Sequence, residues 1–316
     1  MTTRVGRIRA GNLQEFPLET ISNWDAKSIT TVGILSGMPD SIYHSISTAV
    51  SASSLKRLAA STPLHLRYAL DNVTSSPAMT IGSALHCSVL QCDDYENQFV
   101  VLPDGLDRRT KEGKLQYDAA VAKASLTNAK VLTFDQDQLV IAMTDAIIRN
   151  ASATSILQLC PNREVSIFGD INDCYAKARI DLFSEKGALI ADIKTTSSLA
   201  SAGDFGKSVA TFGYGLQAAF YRRMLRQKDA NPTQFIFIVV ESQPPHGVSV
   251  FRLVESQMDL FDTQIDPLVD KWVECQATGV WGGWQDRIVD LVLPKWVEDI
   301  ARETQIDAMV EIGGAL

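Results

Sequence analysis

Cysteine is sparse in this sequence: five in 316 residues, at positions 87, 92, 160, 174 and 275, with no C-x-x-C pair among them. That spacing offers no disulfide framework and no iron–sulfur or zinc motif, so the five read as reduced thiols. No apolar run reaches the roughly 18 to 20 residues that a membrane helix needs. The opening Met1-Thr-Thr-Arg-Val-Gly-Arg lacks the apolar centre of a secretory signal. Internal repeats and low-complexity linkers are missing too. Basic residues are outnumbered, 29 Lys and Arg against 37 Asp and Glu, for a net charge of −8. A surplus of acid argues against a non-specific coat on nucleic acid. It is compatible with an enzyme that concentrates its cations locally and gathers acids around a metal. These absences lead to the expectation of a cytoplasmic chain with no membrane partner.

What is present is an ordinary globular composition, 46% hydrophobic and 21% charged, long enough for one large domain or two small ones. Residues 1–40 show little periodicity and several turn formers, and are expected to form an irregular arm. Ser51 or Ser53 is a suitable N-cap for a helix running to about Leu70, with Pro63 dividing it or starting a second helical turn. Thr80 is placed to cap a helix whose stripe is Ile81, Leu85 and Val89, with Gly82 and His86 on a neighbouring face. Arg108, Arg109, Lys111 and Lys114 mark an exposed, locally positive loop and helix. Residues 132–159 read as helical. Strands are expected at 164–169, 174–184 and 188–195, then a helix at 209–227. The continuous apolar run 234–242 has the look of a strand buried on both faces, followed by another at 248–254. Helices are expected from 255 onward, interrupted at 279–284. The whole is one α/β domain over 41–316, with a core of about 79–255 and a helical N-terminal elaboration.

The chemistry concentrates between Arg179 and Thr195. Side chains alternate along a strand, so Asp192 and Lys194 share a side. A hairpin turning at Glu185-Lys186-Gly187 would bring Asp181 to that same face, with Arg179 and Phe183 beside it. Two carboxylates and an ammonium on an apolar sheet are costly to bury unless a cation or substrate uses them. Glu164 opens the preceding strand, His86 stands on the preceding helix, and Gln217 and Tyr221 share a face of the following one. Hard divalent cations take carboxylate oxygens and waters. Asp181 and Asp192 supply such oxygens, and the Ile193 carbonyl could add another. Lys194 could orient or help deprotonate a water and offset charge growing on a phosphate, a combination suited to metal-assisted phosphodiester hydrolysis.

In this order the residues resemble the PD-(D/E)xK nuclease superfamily: Asp181, then Asp192-Ile193-Lys194, then Gln217-Ala-Ala-Phe-Tyr221 on a helix. The likeness is to RecE-like exonucleases of phages and prophages, kin to the RecB nuclease domain and lambda exonuclease. Gly82-Ser-Ala-Leu-His86 is similar to the Gly-x-x-x-His helix ahead of that core, and Ser51-Ala-Ser-Ser-Leu-Lys56 with Pro63 to the segment near the domain's start. The resemblance spans roughly residues 40–280. One departure is that Arg179-Ile180, with no proline, precede Asp181.

The resemblance implies a restriction-endonuclease-like core, a mixed central sheet flanked by helices. It implies that His86, Asp181, Asp192 and the Ile193 carbonyl bind Mg²⁺, for which Mn²⁺ would substitute. Lys194 would be the catalytic lysine, Glu164 would complete the site directly or through a water, and Gln217 and Tyr221 would hold the DNA strand or the attacking water. It further implies 5′-to-3′ digestion of linear double-stranded DNA in a bacterial cell, leaving 3′ single strands for a RecT- or Bet-like annealing protein. Processive digestion suits a ring-like homo-oligomer, a trimer or tetramer. Two other readings stand beside it: another nuclease of the superfamily, single-strand-specific or structure-specific, and a non-catalytic binding module on the same fold. The basic helix end Arg222, Arg223, Arg226 and Lys228 is either DNA-facing or a response to the helix dipole. The tryptophans at 272, 281, 284 and 296 read as core or subunit-contact residues before base-stacking ones.

Overall fold

The computed structural model describes residues 19–20, 33–184, 188–228, 230, 232–297, 299–300 and 302. The chain divides into two compact units, Met1–Gly282 and Gly283–Leu316. The strands are β1 (Glu19–Thr20), β2 (Gly33–Ser36), β3 (Val50–Ser51), β4 (Phe99–Val101), β5 (Lys130–Leu132), β6 (Asn162–Ile171), β7 (Cys174–Phe183), β8 (Leu189–Thr196), β9 (Gln234–Glu241) and β10 (Val248–Val254). Helices α1 (Asp40–Ser45), α2 (Ala52–Ala60), α3 (Pro63–Asp71), α4 (Pro77–Leu90), α5 (Tyr95–Gln98), α6 (Lys111–Thr127), α7 (Phe134–Arg149) and α8 (Ala151–Leu159) precede the long strands. Helices α9 (Ala202–Thr211) and α10 (Tyr214–Arg226) lie between β8 and β9; α11 (Glu255–Asp262) and α12 (Ile265–Thr278) follow β10.

Among the described residues the main sheet has eight strands, in the order β1-β2-β6-β7-β8-β9-β10, with β3 also pairing to β7. It is mixed: β8 and β9 run parallel, as do β3 and β7, while β6, β7 and β8 are antiparallel in turn. The β6–β7 hairpin turns at Asn172-Asp173, both with positive φ (51° and 59°), the conformation that Asn and Asp tolerate best in a two-residue hairpin. Both faces of the sheet are buried. On β9, Phe235, Phe237 and Val239 enter the larger core cluster, while Ile236, Ile238 and Val240 enter a second one on the other side. That alternation is why the run 235–240 is apolar throughout. Helices α2, α10 and α12 cover the first face, and α4, α7 and α8 the second. A mixed sheet between helices is the architecture the sequence leads one to expect.

Several local expectations are corrected. Residues 33–36 are no part of an irregular arm: β2 pairs antiparallel with β6, placing Leu35 fully buried in the sheet. Ser76, not Thr80, caps α4, because its hydroxyl accepts from Met79 N–H and Pro77 supplies a preset first helical turn. The 132–159 stretch is two helices, α8 being restarted by the Asn150 side chain on Ala153 N–H. The 209–227 stretch is likewise two, broken at Gly213 with φ of 64°. Pro63 does start its own helix, at the first position after Thr62. Beyond Thr278 the expected helices give way to irregular chain up to Pro294. The Glu185-Lys186-Gly187 turn lies outside the described residues. No described helix is long and apolar enough to cross a membrane.

Candidate metal centre and active site

The site begins with a fork in the sheet. β7 and β8 are paired only at Leu182–Ala191 and Phe183–Ile190. Beyond that point β7 takes β3 as its neighbour, at Ala176 and Lys177. Asp181 is the first residue past the last pair on β7, and Asp192 is its opposite on β8. On the other side of β7, the pairs Arg163–Leu182 and Val165–Ile180 set Glu164 level with Asp181. Three acids from three adjacent strands therefore stand in a row at the fork.

Strict alternation along β7 fails there. Ile180 and Phe183 enter the same core cluster while Leu182 enters the opposite one. Arg179, Asp181 and Phe183 thus do not share a plain sheet face; Asp181 sits in the gap. Its Oδ2 accepts from Ile193 N–H at 3.0 Å and lies 3.2 Å from His86 Nδ1. The other ring nitrogen of His86 is 2.7 Å from the Ile193 carbonyl. A neutral imidazole has one N–H, so one ring nitrogen faces an oxygen with a lone pair unless a proton or metal ion intervenes. Ligand atoms of His86, Glu164 and Asp181 all lie within 4.8 Å of one another.

Asp192 and Lys194 share the side facing α10. Lys194 Nζ is 2.5 Å from Asp192 Oδ2 and 4.8 Å from the centre of the Tyr214 ring. The pair is one of charge, since Oδ2, buried, has no hydrogen bond of good geometry. Asp192 Oδ1 accepts from Gln217 Nε2 at 2.8 Å, and the same amide nitrogen is 3.2 Å from the Tyr221 hydroxyl. Gln217 Oε1 in turn accepts from Lys56 Nζ at 3.1 Å.

Burial sets the electrostatics. It raises the Asp181 carboxyl well above the usual carboxylate range, with the Asp192 charge adding to it. Glu164 is pushed up to about 7, by burial first and the Asp181 charge second. Arg179, donating to Glu164 Oε2 at 2.8 Å, offsets only part of that. Burial alone would lower the Lys194 ammonium, but Asp192 and Asp181 beside it hold it above its ordinary value. Glu164 also has a φ of 49° within a strand, a conformation that costs a non-glycine residue about 1–2 kcal/mol. Crowded, buried carboxyls are a poor arrangement for the protein alone. The donors are carboxylates, an imidazole and a carbonyl, a set that fits Mg²⁺ or Mn²⁺.

The structure thus brings together His86, Glu164, Asp181, Asp192, Ile193, Lys194, Gln217 and Tyr221. Lys56 and Arg179 join the site without being expected there. Arg179 could have been found, being two residues before Asp181 on one strand; Lys56 carries no local signal. Gly82 has open space where a Cβ would be, so packing does not demand glycine there. The basic helix end faces protein: Arg222 is 1% exposed and donates to Asp259, Arg223 holds Asp262 and Asp266, and Arg226 meets Glu255. Those arginines fasten α10 to the two helices after β10. Arg109 pairs with Asp107, and Arg108 lies over the Tyr117 ring. Trp272 is buried and meets Trp281 edge-on, while Trp284 and Trp296 are exposed.

Residues 51–285 match the family described as PDDEXK-like domain of unknown function (DUF3799). None of the curated proteins matches. Among solved structures, a candidate exonuclease from Eubacterium rectale is similar in fold, with a TM-score of 0.58 at 13% identity, over 83% of this chain and 97% of that one. A second, SSO0001, covers 71% of this chain and 76% of its own at 11% identity, with a TM-score of 0.31, too low to bear on the fold.

Proposed function

This chain belongs to the PDDEXK-like family, and from that footing we propose that it is a Mg²⁺-dependent DNA exonuclease acting on linear duplex in the 5′-to-3′ direction. Family membership supports a nuclease; the metal dependence is read from the site, and the linear duplex and its polarity from the resemblance to RecE-like exonucleases. The observation that carries the metal reading is the row Glu164, Asp181 and Asp192 at the fork, with His86 against it and Lys194 beside Asp192. His86, Asp181, Asp192 and the Ile193 carbonyl would hold the cation, with Glu164 completing the set. A divalent ion there would polarise a phosphate and lower the pKa of an attacking water. Lys194, paired to Asp192 and set over the Tyr214 ring, is placed to orient that water and to offset charge on the phosphate. Gln217 donates to Asp192 Oδ1 and lies against the Tyr221 hydroxyl, and the two would hold the DNA strand or the attacking water. Attack by water on phosphorus forms one P–O bond and breaks the bond to the leaving sugar oxygen. The proton from the water goes to solvent and another protonates the leaving oxygen.

A ring-like homo-oligomer, trimer or tetramer, would keep such an enzyme on its substrate. A single-strand annealing protein would receive the 3′ strands in phage-type recombination. The test is digestion of linear duplex labelled at the 5′ or the 3′ end, beside closed circular DNA, with Mg²⁺ or Mn²⁺. Early release of the 5′ label from linear DNA alone is the expected result. Cutting of the circle would instead mark an endonuclease. Asp192→Ala and Lys194→Ala are each expected to lower cleavage by at least about 100-fold. Undiminished metal-dependent cleavage by Asp192→Ala would refute the site.

A further inference from the structure

Lys56 stands on α2, far along the chain from Gln217, yet its ammonium donates to Gln217 Oε1 at 3.1 Å. Its stem occupies space that Gly213 leaves open: a Cβ on Gly213 would lie 2.9 Å from Lys56 Cγ. Its Nζ is 5.5 Å from the centre of the Tyr214 ring, the ring that also carries Lys194. A carboxamide can present either end, donor or acceptor, and the choice matters here. With Oε1 on Lys56, Nε2 faces Asp192 Oδ1 at 2.8 Å. The Tyr221 hydroxyl does not settle the choice, because it can accept from Nε2 or donate to Oε1. Turned over, the amide would set its oxygen against the Asp192 carboxylate and leave a buried acceptor unmatched, a costly arrangement.

We propose that Lys56 is a positioning residue of the cation site: by holding Gln217 Oε1 it aims the amide nitrogen at Asp192 Oδ1 and so fixes the carboxylate, its Oδ2 against Lys194, in the orientation in which it would serve the metal. The proposal rests on the metal reading given above. Lys56 has a second effect of opposite sign, since its positive charge repels a cation. The direction of change on removing it therefore separates the two effects.

The experiment is calorimetric titration of the DNA-free protein with Mn²⁺, with a thermal melt of each variant. K56M is expected to weaken Mn²⁺ binding about tenfold, the size typical of a lost outer contact to a metal ligand. In a Q217M background there is no amide to aim, so K56M is expected to leave affinity unchanged or to tighten it. Tighter or unchanged binding by K56M alone overturns the proposal, and so does an equal loss in both backgrounds. K56A takes the place of K56M should the latter melt early. If the wild-type protein takes up no Mn²⁺, the metal reading falls and this proposal with it. A failure confined to K56M leaves the metal reading standing.

Discussion

Glu164 shows what a single residue is made to bear at this site. It holds a left-handed backbone conformation, is nearly covered, and faces Asp181. The consequence is a measurable linkage. Its carboxyl titrates near 4.5 in an unfolded chain and at about 7 in the folded one. Between those values the native state keeps a proton that the unfolded chain has released. Native stability therefore falls as pH rises from about 4.5 to 7, and the full penalty persists above that. Asp181 shifts in the same direction and adds to the loss. On the metal reading, a divalent cation would replace the protons. Mg²⁺ or Mn²⁺ is expected to raise the melting temperature clearly at pH 8 and little at pH 5. Equal gains at both values would contradict the linkage.

At the scale of elements, the break between α9 and α10 is made by Gly213. Alanine there would take on a φ of 64° and press its Cβ on Lys56. G213A is expected to lower unfolding free energy by about 1–3 kcal/mol in urea titrations, and a smaller change would mean that the helix start shifts to relieve it. Much at this scale was readable in advance. Asp192 and Lys194 share a side because alternation is local, and β9 announced two-sided burial by having no polar residue between Gln234 and Glu241. Other features were not readable, for physical reasons. The fork depends on β3 displacing β8 beside β7, a choice made by residues more than 120 positions away. Arg222, Arg223 and Arg226 look like a DNA-facing cluster until α11 and α12 supply Glu255, Asp259, Asp262 and Asp266. Ion-pair partners at that separation leave no periodic trace. Lys56 was hidden likewise: its meaning lies in Gln217.

For the whole molecule, charge matters most. The chain carries net negative charge, and many of its arginines, including 67, 109, 149, 179, 222, 223 and 226, are already paired with acids. Those seven are committed to acids, which leaves the phosphates to other cations, such as the exposed Lys111 and Lys114 on α6. DNA affinity is therefore expected to fall only gently with salt, with a log–log slope of about −2 to −4 rather than the −6 to −9 of a protein with an extended basic groove. Filter binding of a labelled duplex by the K194A protein from 50 to 200 mM salt would measure it.

The parting of β7 and β8 has one more consequence. A strand that loses its neighbour exposes backbone groups that the lost ladder would have satisfied. At Ile193 the N–H is taken by Asp181 and the carbonyl by His86, so two side chains do the hydrogen bonding of a missing strand. Removing either one disturbs architecture as well as reactivity, and a dead D181A or H86A protein has to be judged beside its melting curve. Lys194 meets Asp192 and the Tyr214 ring and, among the described residues, no backbone carbonyl; its replacement separates chemistry from scaffolding.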